Sequence, residues 1–169
     1  MQVLSDHNWV LSVGTFLPLV GVLIMLFVPK AEEELHKTIA LVTAVATLAV
    51  GIYTLVQFNF DRAGGMQFVA QHDWISVIKS TYFIGIDGIS LPLYFLSMVI
   101  TVLVMIYSWN HIPSPGNPKA FLILMLVLQT GMAGTFIARD LILFFVFFEL
   151  VLLPMYFMIG VWGGENRQY

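Results

Sequence analysis

The chain has 169 residues, 59% of them hydrophobic and 10% charged, with a net charge of −3 and a mean hydropathy of +0.91. Soluble domains carry about 25% charged residues, and a single core of this size cannot hide so much apolar surface. The lack of cysteine excludes disulfides, thiolate metal sites and iron–sulfur clusters held by this chain, and no basic run points to nucleic acid.

Apolar runs of about 20 residues recur along the chain, the length needed to cross roughly 30 Å of hydrocarbon. They predict an all-α integral membrane protein, a bundle of about five transmembrane helices in one region covering residues 1–169. The first span is expected at Asn8–Val28 and reads as a signal anchor that stays in place, since it follows Asp6 rather than a basic segment. Pro18 lies in its interior, which membrane helices tolerate, and Pro29-Lys30 close it. A short charged connector, Ala31–Lys37, leads to the second span, Thr38–Phe58. There, Ala40/Ala44 and Thr47/Gly51 place small residues four apart, which suits close helix contact.

Asn59–Ser80 is the longest polar stretch, and its pieces Gln67–Ala70 and Trp74–Ile78 suggest a small hairpin on the membrane surface. The third span, Gly88–Trp109, is introduced by Gly85-Ile86-Asp87-Gly88-Ile89-Ser90, with Asp87 placed to cap the helix. His111–Pro118 is rich in proline and glycine and predicts an exposed loop. The fourth span, Lys119–Ala138, carries Thr130, Gly134 and Ala138 as an expected packing stripe. Only Arg139-Asp140 separates it from the fifth, Leu141–Trp162, so the last two helices must lie antiparallel and adjacent. Trp9, Trp109 and Trp162 stand at span edges, as an interfacial aromatic belt requires. With the amino terminus outside, inner loops hold Lys30, Lys37, Lys119 and Arg167 against Arg62, Lys79 and Arg139 outside, so the positive-inside rule favours that orientation.

One residue stands out chemically. Glu149 lies near the middle of the fifth span, where a charged group costs about 2.5–3.5 kcal/mol on insertion scales. Removal from water disfavours the charged form of a carboxyl group, so a carboxyl held there is suited to take and release protons. Pro154 cannot donate to the carbonyl of Leu150, which leaves an acceptor beside Glu149. Tyr156 lies about two turns further along the same face. Gln129, on the fourth span, is a candidate to hold water or to bond Glu149, although a polar residue there also serves as interhelical glue. No span interior contains lysine, arginine or histidine, so Glu149 has no cationic partner in the chain and a relay needs a second station from elsewhere. The four histidines are scattered through loops and ends, which argues against a metal site, and no nucleotide-binding signature occurs.

The run Gln129–Asp140 followed by Leu141–Glu149, Pro154-Met155-Tyr156 and Trp162-Gly163-Gly164, together with Gly85–Ser90, resembles the antiporter-like membrane subunit, subunit M or chain 4, of proton-pumping NADH:quinone oxidoreductase (respiratory complex I). The resemblance is most specific over Gly85–Tyr169. It implies a proton-translocating subunit coupled from a distance to quinone reduction, in which Glu149 is a proton-path residue whose partner is a lysine on a later helix. It also implies a bacterial cell membrane or an equivalent energy-transducing membrane and other membrane-arm subunits as partners. NADH, FMN, iron–sulfur clusters and quinone would be handled by other subunits, with no cofactor in this chain. Family members continue through further helices, so a longer chain is expected. Two rivals differ in class: a subunit of a multisubunit sodium/proton antiporter with no redox partner, and a scaffold in which Glu149 is a structural contact.

Overall fold

The computed structural model describes residues 7–113 and 115–164; Arg167 lies outside them. Among the described residues, five helices are long and apolar enough to cross a membrane. They are α1 (Val10–Phe27), α2 (Glu33–Gln57), α3 (Ser90–Ser108), α4 (Pro118–Ile137) and α5 (Leu141–Trp162). A two-stranded antiparallel hairpin, β1 (Gln67–Ile75) and β2 (Ser80–Ile86), joins α2 to α3.

Local chemistry sets the helix ends. Val28 is extended at the end of α1, as the residue before Pro29 must be. Glu33 and Glu34 occupy the first turn of α2, where the helix dipole favours negative charge. Pro118 starts α4 behind Asn117, whose side chain accepts from the Ala120 amide. Asp140 caps α5 by accepting from the amides of Ile142 and Leu143, each at 3.0 Å.

Chain direction alternates, so the start of α1, the hairpin and the α4–α5 turn share one side of the bundle. The α1–α2 and α3–α4 loops share the other. On that opposite side Lys119 donates from Nζ to the carbonyls of Val28, at 2.7 Å, and Leu26, at 3.1 Å, closing the end of α1. The Trp162 indole donates to the Gly116 carbonyl at 2.7 Å.

Helices α1 to α4 pack on one another, whereas α5 rests on α4 and the hairpin. Small residues allow the close approaches. Gly21 faces Thr43 between α1 and α2, and Gly51 faces Met98 between α2 and α3. The α4–α5 seam runs through Gly131 and Gly134, where an added Cβ would meet the Val151 backbone nitrogen and the Phe147 ring. This differs from the expected stripe of Thr130, Gly134 and Ala138. Thr130 turns into the core, and Ala138 has left the helix, extended at its end, to pair with Ile84.

The hairpin also differs from its sequence-based outline. Its first strand begins at Gln67, but Ser76–Ile78 forms a tight helical turn and Lys79 takes a left-handed conformation (φ 53°). The second strand therefore starts at Ser80, one segment later than Trp74–Ile78. Thr81-Tyr82-Phe83-Ile84 supply the β-branched and aromatic side chains that a half-buried strand prefers. Phe68, Ala70, Ile84 and Ile86 are buried and join the core at this end of the bundle.

Candidate functional site

Glu149 lies eight residues into α5, about 12 Å along it by the helical rise, and is half-buried. The face of α5 that meets α4 is formed by Leu143, Phe147 and Pro154, its buried residues. Steps of 100° per residue put Glu149 well round from that face, on a flank with Leu153 and Tyr156, which are 56% and 72% exposed. Among the described residues, no hydrogen bond or ion pair engages its carboxylate. The site is thus a half-buried acid in the interior of α5, on a flank of the helix turned away from the α4 seam.

The other sequence-chosen residues are placed differently. Helix α5 continues through Pro154, which is buried. Tyr156 shares the Glu149 flank. Gln129 does not turn to Glu149: its side-chain amide is hydrogen-bonded to the Thr101 hydroxyl of α3, which donates its single O–H to the Ser97 carbonyl at 2.8 Å. The rotation of α4 explains this, because the neighbouring Gly131 is the position that faces α5.

At the hairpin side, Asp87 organises the start of α3. Its Oδ1 accepts from the amides of Ile89 and Ser90 at 3.0 and 2.8 Å, and from the Ser90 hydroxyl at 3.0 Å. Its Oδ2 meets the Arg139 guanidinium at 3.0 Å. The Ser90 amide is the chief reason that the Asp87 pKa is lowered to about 2; burial opposes it, while the Ser90 hydroxyl, the Ile89 amide and the Arg139 charge assist. Arg139 also donates from Nε to the Gly85 carbonyl at 3.2 Å, and its amide donates to the Phe83 carbonyl at 2.8 Å. Asp140 completes the joint, accepting from the Ser80 hydroxyl at 2.9 Å. Its carboxyl is held below the usual range, first by the Leu143 amide, with Ser80, Thr81 and Ile142 adding to the effect. The Arg139-Asp140 doublet was legible only as a tight turn; that it ties the hairpin to α3 and α5 depends on contacts some 50 residues away in sequence.

Sequence reasoning also passed over a set of inward-facing hydroxyls, Thr15, Tyr94 and Thr101, and took Thr130 only as part of a packing stripe; all are buried. No motif marks them, since threonine and tyrosine are ordinary in membrane helices.

The architecture defines a polytopic α-helical membrane protein. A family model described as "NADH-ubiquinone oxidoreductase chain 4, amino terminus" matches residues 36–135, more than half of the chain. The chain belongs to that family. It is similar to NAD(P)H-quinone oxidoreductase chain 4 of Prochlorococcus marinus (strain NATL2A), 33% identical over 168 residues, covering 99% of this chain and 30% of the relative. NADH-quinone oxidoreductase subunit M of Rickettsia bellii (strain RML369-C) is 35% identical over 165 residues, covering 95% and 33%. Among solved structures, a chain of respiratory complex I from Thermus thermophilus with bound NADH has the same fold, with a TM-score of 0.74 and 23% identity over 94% of this chain and 30% of that one. The chain spans about a third of the length of the curated relatives it matches. Glu149 and Arg139 lie beyond the residues matched by the family model.

Proposed function

We propose that this chain forms the first part of a proton-translocating membrane subunit of NADH:quinone oxidoreductase, with Glu149 as a proton station coupled from a distance to quinone reduction. What supports the reading is the Glu149 carboxylate itself, half-buried within a helix long and apolar enough to cross a membrane, with no partner among the described residues. An acid in that position is costly unless protein or water receives it. Its flank of α5 is where another helix, from this chain's continuation or from a neighbour, would bring the second titratable group. Tyr156, on the same flank, is a hydroxyl able to relay or orient a proton. Pro154 leaves the Leu150 carbonyl free to hold water beside the acid.

In this reading Glu149 binds a proton, passes it to the second group and is reloaded from the other side. Moving one charge against 100 mV takes about 2.3 kcal/mol, so the acid's proton affinity must change during turnover. The chain's own residues supply the station, and no redox step occurs on them. The electron donor, FMN, iron–sulfur clusters and quinone belong to other subunits, and the neighbours are other membrane-arm subunits in a bacterial cell membrane or an equivalent energy-transducing membrane. The amino terminus faces outside, and the five helices form one continuous transmembrane region.

The test uses the assembled complex in sealed vesicles. Glu149→Gln is expected to abolish most NADH-driven acidification, while Glu149→Asp retains part of it. Acidification equal to the parent's in an assembled Glu149→Gln complex would overturn the assignment. Proton movement driven by a sodium gradient without NADH would favour the antiporter reading instead.

A further inference from the structure

Between α2 and α3, at the hairpin end of the bundle, the surface opens into a groove. Pro92, Phe95, Leu96 and Val99 of α3 line one side of it. They fall at i, i+3, i+4 and i+7, a single stripe of the helix. Leu55, near the end of α2, and Phe60, in the tight turn Phe60–Arg62 that follows, line the other. No lining residue is polar, and the cavity measures about 530 Å³, within the ordinary range of ligand pockets, about 300–1,000 Å³. Pro92 and Leu96 are exposed, so the groove faces outward from the described helices.

We propose that this groove binds one acyl chain of a zwitterionic phospholipid whose phosphate is held by Arg62. The dimensions favour a chain. From the first turn of α3 to Val99 the helix rises about 13 Å, close to one leaflet's share, about 15 Å, of the hydrocarbon. Spread over that length, the volume gives a channel about 7 Å across, narrower than the 10–12 Å of a helix with its side chains. The charge at the mouth favours a phospholipid. Arg62 stands two residues beyond Phe60 in the same turn, is exposed, and no ion pair among the described residues engages it. A guanidinium pairs well with phosphate. Asp61, the residue before it, leaves the turn neutral, which a zwitterionic headgroup matches. Lipid tails are as apolar as leucine, so the groove gains no hydrophobic driving force over bulk lipid; shape and the phosphate contact must hold the molecule. The site rests on no role for Glu149.

The experiment is photolabelling of the intact membrane assembly in vesicles. These are doped with phosphatidylethanolamine carrying a diazirine midway along one chain, or with a diacylglycerol carrying the same chain. Adducts are mapped by mass spectrometry on two segments of α3. Residues 91–99 line the groove, whereas residues 100–108 lie outside it, although Ile100, Leu103 and Ile106 are 46%, 58% and 54% exposed. The ratio of adducts on 91–99 to those on 100–108 is expected to be several-fold higher with the phospholipid than with the diacylglycerol. Arg62→Gln should bring the two lipids level, and Leu96→Trp, which fills the groove, should lower the ratio for both. Equal ratios from the two lipids in the parent would overturn the proposal, as would ratios unchanged in either assembled variant. A stronger label from phosphatidylglycerol than from phosphatidylethanolamine would overturn the headgroup assignment. Adducts missing from 91–99 with every lipid would show that protein covers the groove, which also overturns it. If a variant does not assemble, the comparison of lipids in the parent decides the question.

Discussion

Replacing Arg139 with glutamine isolates the joint between the hairpin and the helices. The substitution removes a charge-assisted contact to Asp87 at 3.0 Å and the donations to the Gly85 carbonyl and the Ser90 hydroxyl, each at 3.2 Å. Hydrogen bonds to charged groups contribute about 1.5–3 kcal/mol where buried, but exposed pairs contribute about 0–1 kcal/mol. With side chains 25% and 28% exposed, this pair falls between, and a loss of about 1–2 kcal/mol is expected for the cluster. The backbone bond from the Arg139 amide to Phe83 survives the change, so the hairpin should stay docked but open more often. A loss of 1.4 kcal/mol corresponds to a tenfold change in an equilibrium. Hydrogen–deuterium exchange at the β2 amides should therefore quicken by roughly tenfold in the variant, with α1 and α2 unaffected. Exchange within twofold of the parent across β2 would refute the view that the guanidinium secures this joint.

Other outcomes follow from the same geometry. The lowered Asp87 pKa means that its contribution to stability is fully present above the ordinary carboxylate value, near 3.8, and is lost as pH falls towards about 2. The protection factor at the start of α3, with the intrinsic pH dependence of exchange divided out, should be flat from neutral pH to about pH 5 and fall in strong acid, and Asp87→Asn should remove that acid dependence. Gly131→Ala places a Cβ 2.9 Å from the Val151 backbone nitrogen, which cannot yield as a side-chain tip would. A loss of about 1–3 kcal/mol, read as a lower thermal midpoint in detergent, is expected from such overpacking. Trp162→Phe deletes the 2.7 Å bond to Gly116 and should cost about 1 kcal/mol, seen as faster proteolysis in the α3–α4 loop. Lys119→Met leaves the Leu26 and Val28 carbonyls without their donor and should raise exchange at the end of α1.

The helices were legible because each is a long apolar run bounded by proline, acid or turn residues, and such runs can only cross a bilayer or lie in a core. The hairpin was half legible. Gln67 onward reads as a strand, but the reversal depends on Lys79 adopting a left-handed conformation that its residue type does not advertise. The phase of α4 was ambiguous for a physical reason. Thr130, Gly131, Gly134 and Ala138 are all small, so periodicity alone cannot say which pair meets α5, and the choice of Gly131 with Gly134 also decides that Gln129 reaches Thr101 rather than Glu149. Glu149 stood out as an acid inside a long apolar run. Arg139 did not, because its partner Asp87 lies 52 residues away in sequence, just ahead of another helix.

The central claim is that the Glu149 carboxyl gains and loses a proton as the complex turns over. Infrared difference spectroscopy of the assembled enzyme, recorded as NADH is supplied, reads this directly. A carboxyl C=O difference band that shifts in heavy water and disappears in Glu149→Gln is the predicted result. Identical difference spectra from the parent and from an assembled, electron-transferring Glu149→Gln enzyme would contradict it.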